Sequence, residues 1–121
     1  MENFIKLVSY LFHSRTQVHV FHLQTKSFAE HKALNEYYDE IIELVDGLIE
    51  SYQGKYGIIM NYENPPLQNY TDNAQVVGYF TELVDIIEVL RQDLEDSYIQ
   101  NQVDGVMELV ESTKYKLRFL S

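Results

Sequence analysis

Apolar side chains return every three or four residues along four separate stretches of this chain, a spacing that fits little except amphipathic helices packed on one another. The first stretch carries Phe4, Leu7, Val8, Leu11, Phe12, Val18, Phe21 and Leu23, and its helix should end near Thr25. Ser27-Phe28-Ala29-Glu30 then has the form of a capping box. In that motif the Ser27 hydroxyl accepts from the Glu30 amide while the Glu30 carboxylate reaches back to the Ser27 amide. The second helix continues through Leu34, Tyr38, Ile41, Ile42, Val45, Leu48, Ile49 and Tyr52, with Gly54 as its stop signal.

From Lys55 to Asp72 the period fails, and Gly57, Asn61, Asn64, Pro65, Pro66 and Asn69 accumulate. This reads as a long connection with room for one short helical turn after Pro66. A third helix is expected from about Asn73, capped by Asp72 or Thr71, through Val76, Phe80, Leu83, Val84, Ile87, Leu90 and Leu94. The fourth uses Ile99, Val103, Val106, Met107, Val110, Leu117 and Leu120, with Asp96 as its N-cap. Two long helices, a long connection and two more long helices predict an all-α, ferritin-like four-helix bundle whose crossover joins helices 2 and 3. A chain of 121 residues accommodates this as one domain spanning residues 1–121.

Nine Lys and Arg stand against nineteen Asp and Glu, a formal net charge of -10. Such a surface repels phosphate backbones, so direct DNA binding is not expected, whereas cations are favoured. The chain has no cysteine, which removes disulfides, thiolate catalysis and cysteine-ligated metals. Any metal must therefore be held by His and carboxylates. No apolar run reaches the roughly 18 residues of a membrane span, and the start, Met1-Glu2-Asn3-Phe4-Ile5-Lys6, lacks a basic signal region. The expected location is the cytoplasm, or a virion for a phage-encoded chain.

Three of the four histidines, His19, His22 and His31, fall close together around the first helix junction. On a helical wheel starting at His31, Asp46 lies at about 60° and Glu50 at about 100°, flanking the apolar positions Ile42 and Ile49. An Asp and a Glu four residues apart on one face can grip a single cation. His31 cannot join them within one chain, because fifteen residues of helix separate it from Asp46 by about 22 Å. Two copies with their second helices antiparallel around a two-fold axis would bring the His end of one to the Asp-Glu end of the other. His19 could then supply a second nitrogen. The Glu-x-x-His pairs of an intrabundle di-iron site are absent.

Residues 19–57 resemble the ferroxidase segment of the Dps family of mini-ferritins. The family's two histidines lie twelve apart, an Asp follows fifteen later and a Glu four after that. Here the intervals are 31 − 19 = 12, 46 − 31 = 15 and 50 − 46 = 4, carried by His19, His31, Asp46 and Glu50. The resemblance implies a homo-oligomer, at least a two-fold dimer and in the family a dodecamer. In it Fe(II) is oxidised at dimer-interface sites and stored as ferric mineral; Mn and Zn are the other divalent candidates. The chain departs from the family at Asn35, where an Asp is usual, and at Val20, where a Trp normally stands. The basic N-terminal tail of some members is missing. In overall look the chain is also similar to a family of short tailed-phage proteins.

Each of these residues also has a plainer reading. Asp46 and Glu50 could form a solvated helix edge, and a single histidine beside an apolar face is more often structural than ligating. A polar helix-end position accounts for His22, and His13 reads as a surface residue. Tyr37 and Tyr38 lie near the proposed site, where a phenol could intercept radicals, although core packing is the commoner role. Asp104, Glu108 and Glu111 line either an acidic cavity or an ordinary solvated face. The alternative function is a non-catalytic helical structural or virion-associated interaction protein with a relict metal site.

Overall fold

A computed structural model describes residues 1–120 as four α-helices and no strand: α1 (Glu2–Gln24), α2 (Phe28–Tyr56), α3 (Asn73–Arg91) and α4 (Ser97–Phe119). Helix α1 packs on α2 and α3, and α4 packs on the same two, so α1 and α4 oppose each other across the bundle. None of the helices is long and apolar enough to cross a membrane.

The connection 57–72 sets this arrangement, and polar side chains on α1 hold it. Ser9 Oγ accepts from the Glu63 amide at 2.9 Å. Further along α1, the Gln17 carboxamide, fully buried, donates to the Gln68 carbonyl (2.8 Å) and accepts from the Gln68 amide (2.7 Å). Gln24 accepts from the Tyr70 amide (2.6 Å) and donates to Asn69 Oδ1 (3.0 Å). His13 contacts the Pro66 carbonyl at 2.9 Å. These contacts ascend α1 in step with the connection, which therefore runs the length of the bundle and returns α3 to the end where α2 began. There Asn73 donates to Glu30 Oε2 at 2.5 Å. Helices α2 and α3 are thus parallel, the single-crossover connectivity expected from the sequence.

The crossover is extended throughout, with no helical turn after Pro66. Helix α2 also passes through Gly54 and stops at Gly57, whose φ of 97° is the only positive φ among the described residues. Gly54 has open space around it and is tolerated inside the helix, whereas the left-handed region at residue 57 favours a residue without Cβ. Helix α3 ends at Arg91, and Leu94 is buried in the turn that follows. Asp72 caps α3 by accepting from the Gln75 amide at 2.8 Å.

The core fills with the expected positions: Leu7, Leu11, Phe21, Leu34, Ile41, Leu48, Phe80, Ile87, Val103, Val110 and Leu117 are buried. Leu23 and Leu120 lie at helix ends and are exposed instead. Tyr37 is a core residue. Its ring meets Phe80 edge-on at 5.0 Å, and its hydroxyl donates to Ser14 Oγ at 2.7 Å, because Ser14 spends its own proton on the Leu11 carbonyl. Burial pushes the Tyr37 phenol above its ordinary value. At the opposite end Phe4 stacks on Tyr52 at 3.7 Å.

Asp96 stands at the N-cap of α4, yet its carboxylate makes no cap hydrogen bond and accepts hydrogen bonds from Lys55 and Tyr56 on α2. The Lys55 bond, then that from Tyr56, holds Asp96 below the usual carboxylate value, and Lys55 is raised by the same contact.

Gln17→Leu leaves both main-chain polar groups of Gln68 without their partner and should lower stability by about 1–3 kcal/mol in urea unfolding; an unchanged midpoint would show that the clamp is idle. For Asp96, a depressed folded value contributes stability above 3.8, lost as pH falls through the folded value. The raised Lys55 contributes below 10.5, lost as pH rises through its folded value. Asp96→Asn should therefore be less stable than the parent between those limits and converge with it in acid; an equal deficit at about pH 2.5 would refute the linkage.

Candidate functional site

The turn between α1 and α2 brings His19, His22 and His31 to one end of the bundle. The expected box at Ser27 is half realised. Ser27 Oγ accepts from the Glu30 amide at 3.2 Å, but the Glu30 carboxylate does not return to Ser27. Being nearly fully buried, it accepts instead from Thr25 Oγ1 at 2.6 Å and from Asn73, tying the turn to the start of α3. The Ser27 amide goes to Thr25 Oγ1 at 3.1 Å.

His22 and His31 then face one another across this tight turn. Their rings stack at 3.6 Å with planes 21° apart. His22 Nδ1 lies 2.7 Å from the His31 carbonyl, and His31 Nδ1 lies 2.9 Å from the His22 carbonyl. A carbonyl oxygen only accepts, so each Nδ1 must carry a proton, and in the neutral ring the lone pair is then on Nε2. The His22 carbonyl is in the last turn of α1, where main-chain oxygens lack helical partners, so His31 also caps that helix. The reading of His22 as an unremarkable polar helix end is thus corrected: it is buried, and its ring is the one on which His31 rests. Its i, i+3 spacing from His19 was the only sign of this in the sequence.

His19 is half-buried, 6.0 Å ring to ring from His22, and stacks on Tyr38 at 4.4 Å. Tyr38 donates to Asn35 Oδ1 at 2.6 Å, and Asn35 donates to Asp39 at 3.2 Å. Of the histidines proposed as ligands, His19 is thus adjoined by Tyr38, while Tyr37 points into the core. His13 is corrected too. Its Nε2 must donate to the Pro66 carbonyl, so its Nδ1 accepts from the Tyr79 hydroxyl at 2.9 Å, and it is a strut of the crossover.

Asp46 and Glu50 are exposed on α2, several turns from the histidines. The structure does not bring them to His19 or His31 within one chain, as their separation in the sequence required. Among the described residues, no three His, Asp or Glu side chains of a single chain are grouped to hold a metal ion. The acidic positions on α4 are partly spent in ion pairs: Asp104 accepts from Arg91 at 2.7 and 3.1 Å, and Glu111 lies 3.6 Å from Lys114.

In chemical terms, the His end offers two imidazoles, His22 and His31, whose Nδ1–H is bonded and whose Nε2 keeps its lone pair, and the far half of α2 offers two accessible carboxylates. No curated protein and no solved structure matches this chain. A family model does match, over residues 22–117, a span that includes His22, His31, Asp46 and Glu50 and begins just after His19. The chain accordingly belongs to DUF5856, described as a family of unknown function.

Proposed function

We propose that this protein is a Dps-like mini-ferritin subunit that binds Fe(II) between two copies, oxidises it and sequesters the ferric product. His19 and His31 of one copy and Asp46 and Glu50 of the other would be the ligands. The observation that carries this reading is the tautomer of His31. Its Nδ1–H is bonded to a main-chain carbonyl, the outer-shell arrangement that orients metal-ligating histidines and leaves Nε2 as donor atom. The single-crossover bundle and the exposed Asp46–Glu50 pair on the same helix support it. Fe(II) is the substrate and dioxygen or peroxide the electron acceptor. Asn35, its oxygen already engaged by Tyr38, is a neutral and weak candidate for a second iron, so the reading favours one strong metal position per site.

The same clasp also favours a second reading. The reciprocal hydrogen bonds and the ring stack account for His22 and His31 by folding alone. On that basis the chain would be a non-catalytic helical interaction protein with a relict site.

Glu50 separates the two readings better than His31, because it is exposed and its loss should change stability by no more than about 0.5 kcal/mol. On aerobic addition of Fe(II) to metal-free protein, the parent should generate ferric absorbance faster than buffer, and Glu50→Ala should fall to the buffer rate. A parent no faster than buffer would establish the non-catalytic reading, and a Glu50→Ala variant as fast as the parent would remove Glu50 from the site.

A further inference from the structure

We infer that His22 is the positioning residue for His31, holding it as an Nε2 donor through a reciprocal pair of side-chain to main-chain hydrogen bonds across the α1–α2 turn. This rests on the reading of His31 as a metal ligand. The two rings stack at 3.6 Å, and each Nδ1 reaches the other residue's carbonyl, at 2.7 and 2.9 Å.

The two hydrogen bonds are not independent. His22 Nδ1–H pins the first turn of α2 to the last turn of α1, and this sets the His22 carbonyl where His31 Nδ1 can reach it. Without the His22 donor the two helix ends lose one of the two reciprocal histidine bonds, and the His31 ring can turn about χ2 and exchange tautomers. Burial strengthens the case. His22 is only 7% exposed, so its polar nitrogen is committed to the protein rather than to water, whereas His31 is half-buried and on the accessible side of the stack. Phe28 adds a ring 6.4 Å from His31, at 22° to its plane.

Two variants isolate the donor. His22→Phe keeps an aromatic ring of similar size in the buried position and removes the Nδ1–H. His22→Asn removes the ring but keeps an amide donor at the same distance from Cβ. In metal-free protein with 15N-labelled histidine, long-range 1H–15N correlation spectra should show His31 as the Nδ1–H tautomer in the parent and in His22→Asn, and as a mixture of both tautomers in His22→Phe. Titration with Co(II) alone, followed by its visible absorption, should give about 10- to 100-fold weaker binding for His22→Phe than for the parent, with His22→Asn close to the parent.

A parent-like tautomer and affinity in His22→Phe would overturn the inference, as would equal loss in both variants, which would assign the effect to the ring rather than the donor. A parent that binds no Co(II) would instead sink the ligand reading on which the inference rests. In that event the tautomer spectra still decide whether His22 orients His31.

Discussion

The crossover has to lie flat on α1 for this bundle to exist, and the side chains that keep it there are polar. A sixteen-residue extended segment cannot satisfy its own main chain. Ser9, His13, Gln17 and Gln24 do so from one face of α1, and Gln17 is buried to do it, offering Gln68 a donor and an acceptor much as a neighbouring strand would. With the connection fixed along α1, α3 can start only beside the first turn of α2. Asn73 then reaches Glu30, and the turn carrying the histidines is buttressed by the start of α3, 43 residues further along the chain. The apolar core supplies most of the stabilisation of such a bundle, but it does not choose this connectivity over an up-and-down one. The polar ladder does.

Much of the fold was legible because helical periodicity is a statement about which face is buried. The long interruption at 55–72 could belong only to a connection between helices 2 and 3. The exact ends were less legible. Gly54 and Gly57 are equivalent as letters, and only the backbone turn after Tyr56 distinguishes the one that needs a positive φ. Likewise Glu30 satisfies the pattern of a capping box while its carboxylate is drawn away by Thr25 and Asn73, partners that no local pattern includes. Asp96 shows the same competition: it occupies a cap position, and a lysine and a tyrosine from α2 claim its oxygens.

The candidate site divides along the same line. Its spacing was visible in sequence, since intervals of twelve, fifteen and four residues survive whatever the fold does with them. What spacing cannot convey is which nitrogen of an imidazole carries its proton. That depends on the carbonyl opposite, and for His31 the carbonyl belongs to His22, a residue with no place in the spacing. His13 was opaque for a similar reason, because both of its partners are far along the chain, at Pro66 and Tyr79.

Structural duty and ligand duty are compatible in His31 because they use different nitrogens. Nδ1 caps the carboxyl end of α1, where the unpaired carbonyls carry partial negative charge and welcome a donor. This leaves Nε2 outside the folding scheme. A histidine that used both nitrogens for folding, as His13 does between Tyr79 and Pro66, would have nothing left to offer a ligand. The contrast between these two residues of one helical hairpin gives a physical criterion that neither burial nor spacing provides. His31 spends one nitrogen on a main-chain carbonyl and keeps the other, and under the proposed function Asp46 and Glu50 of a second copy, exposed on the same helix, are the carboxylates that would meet it.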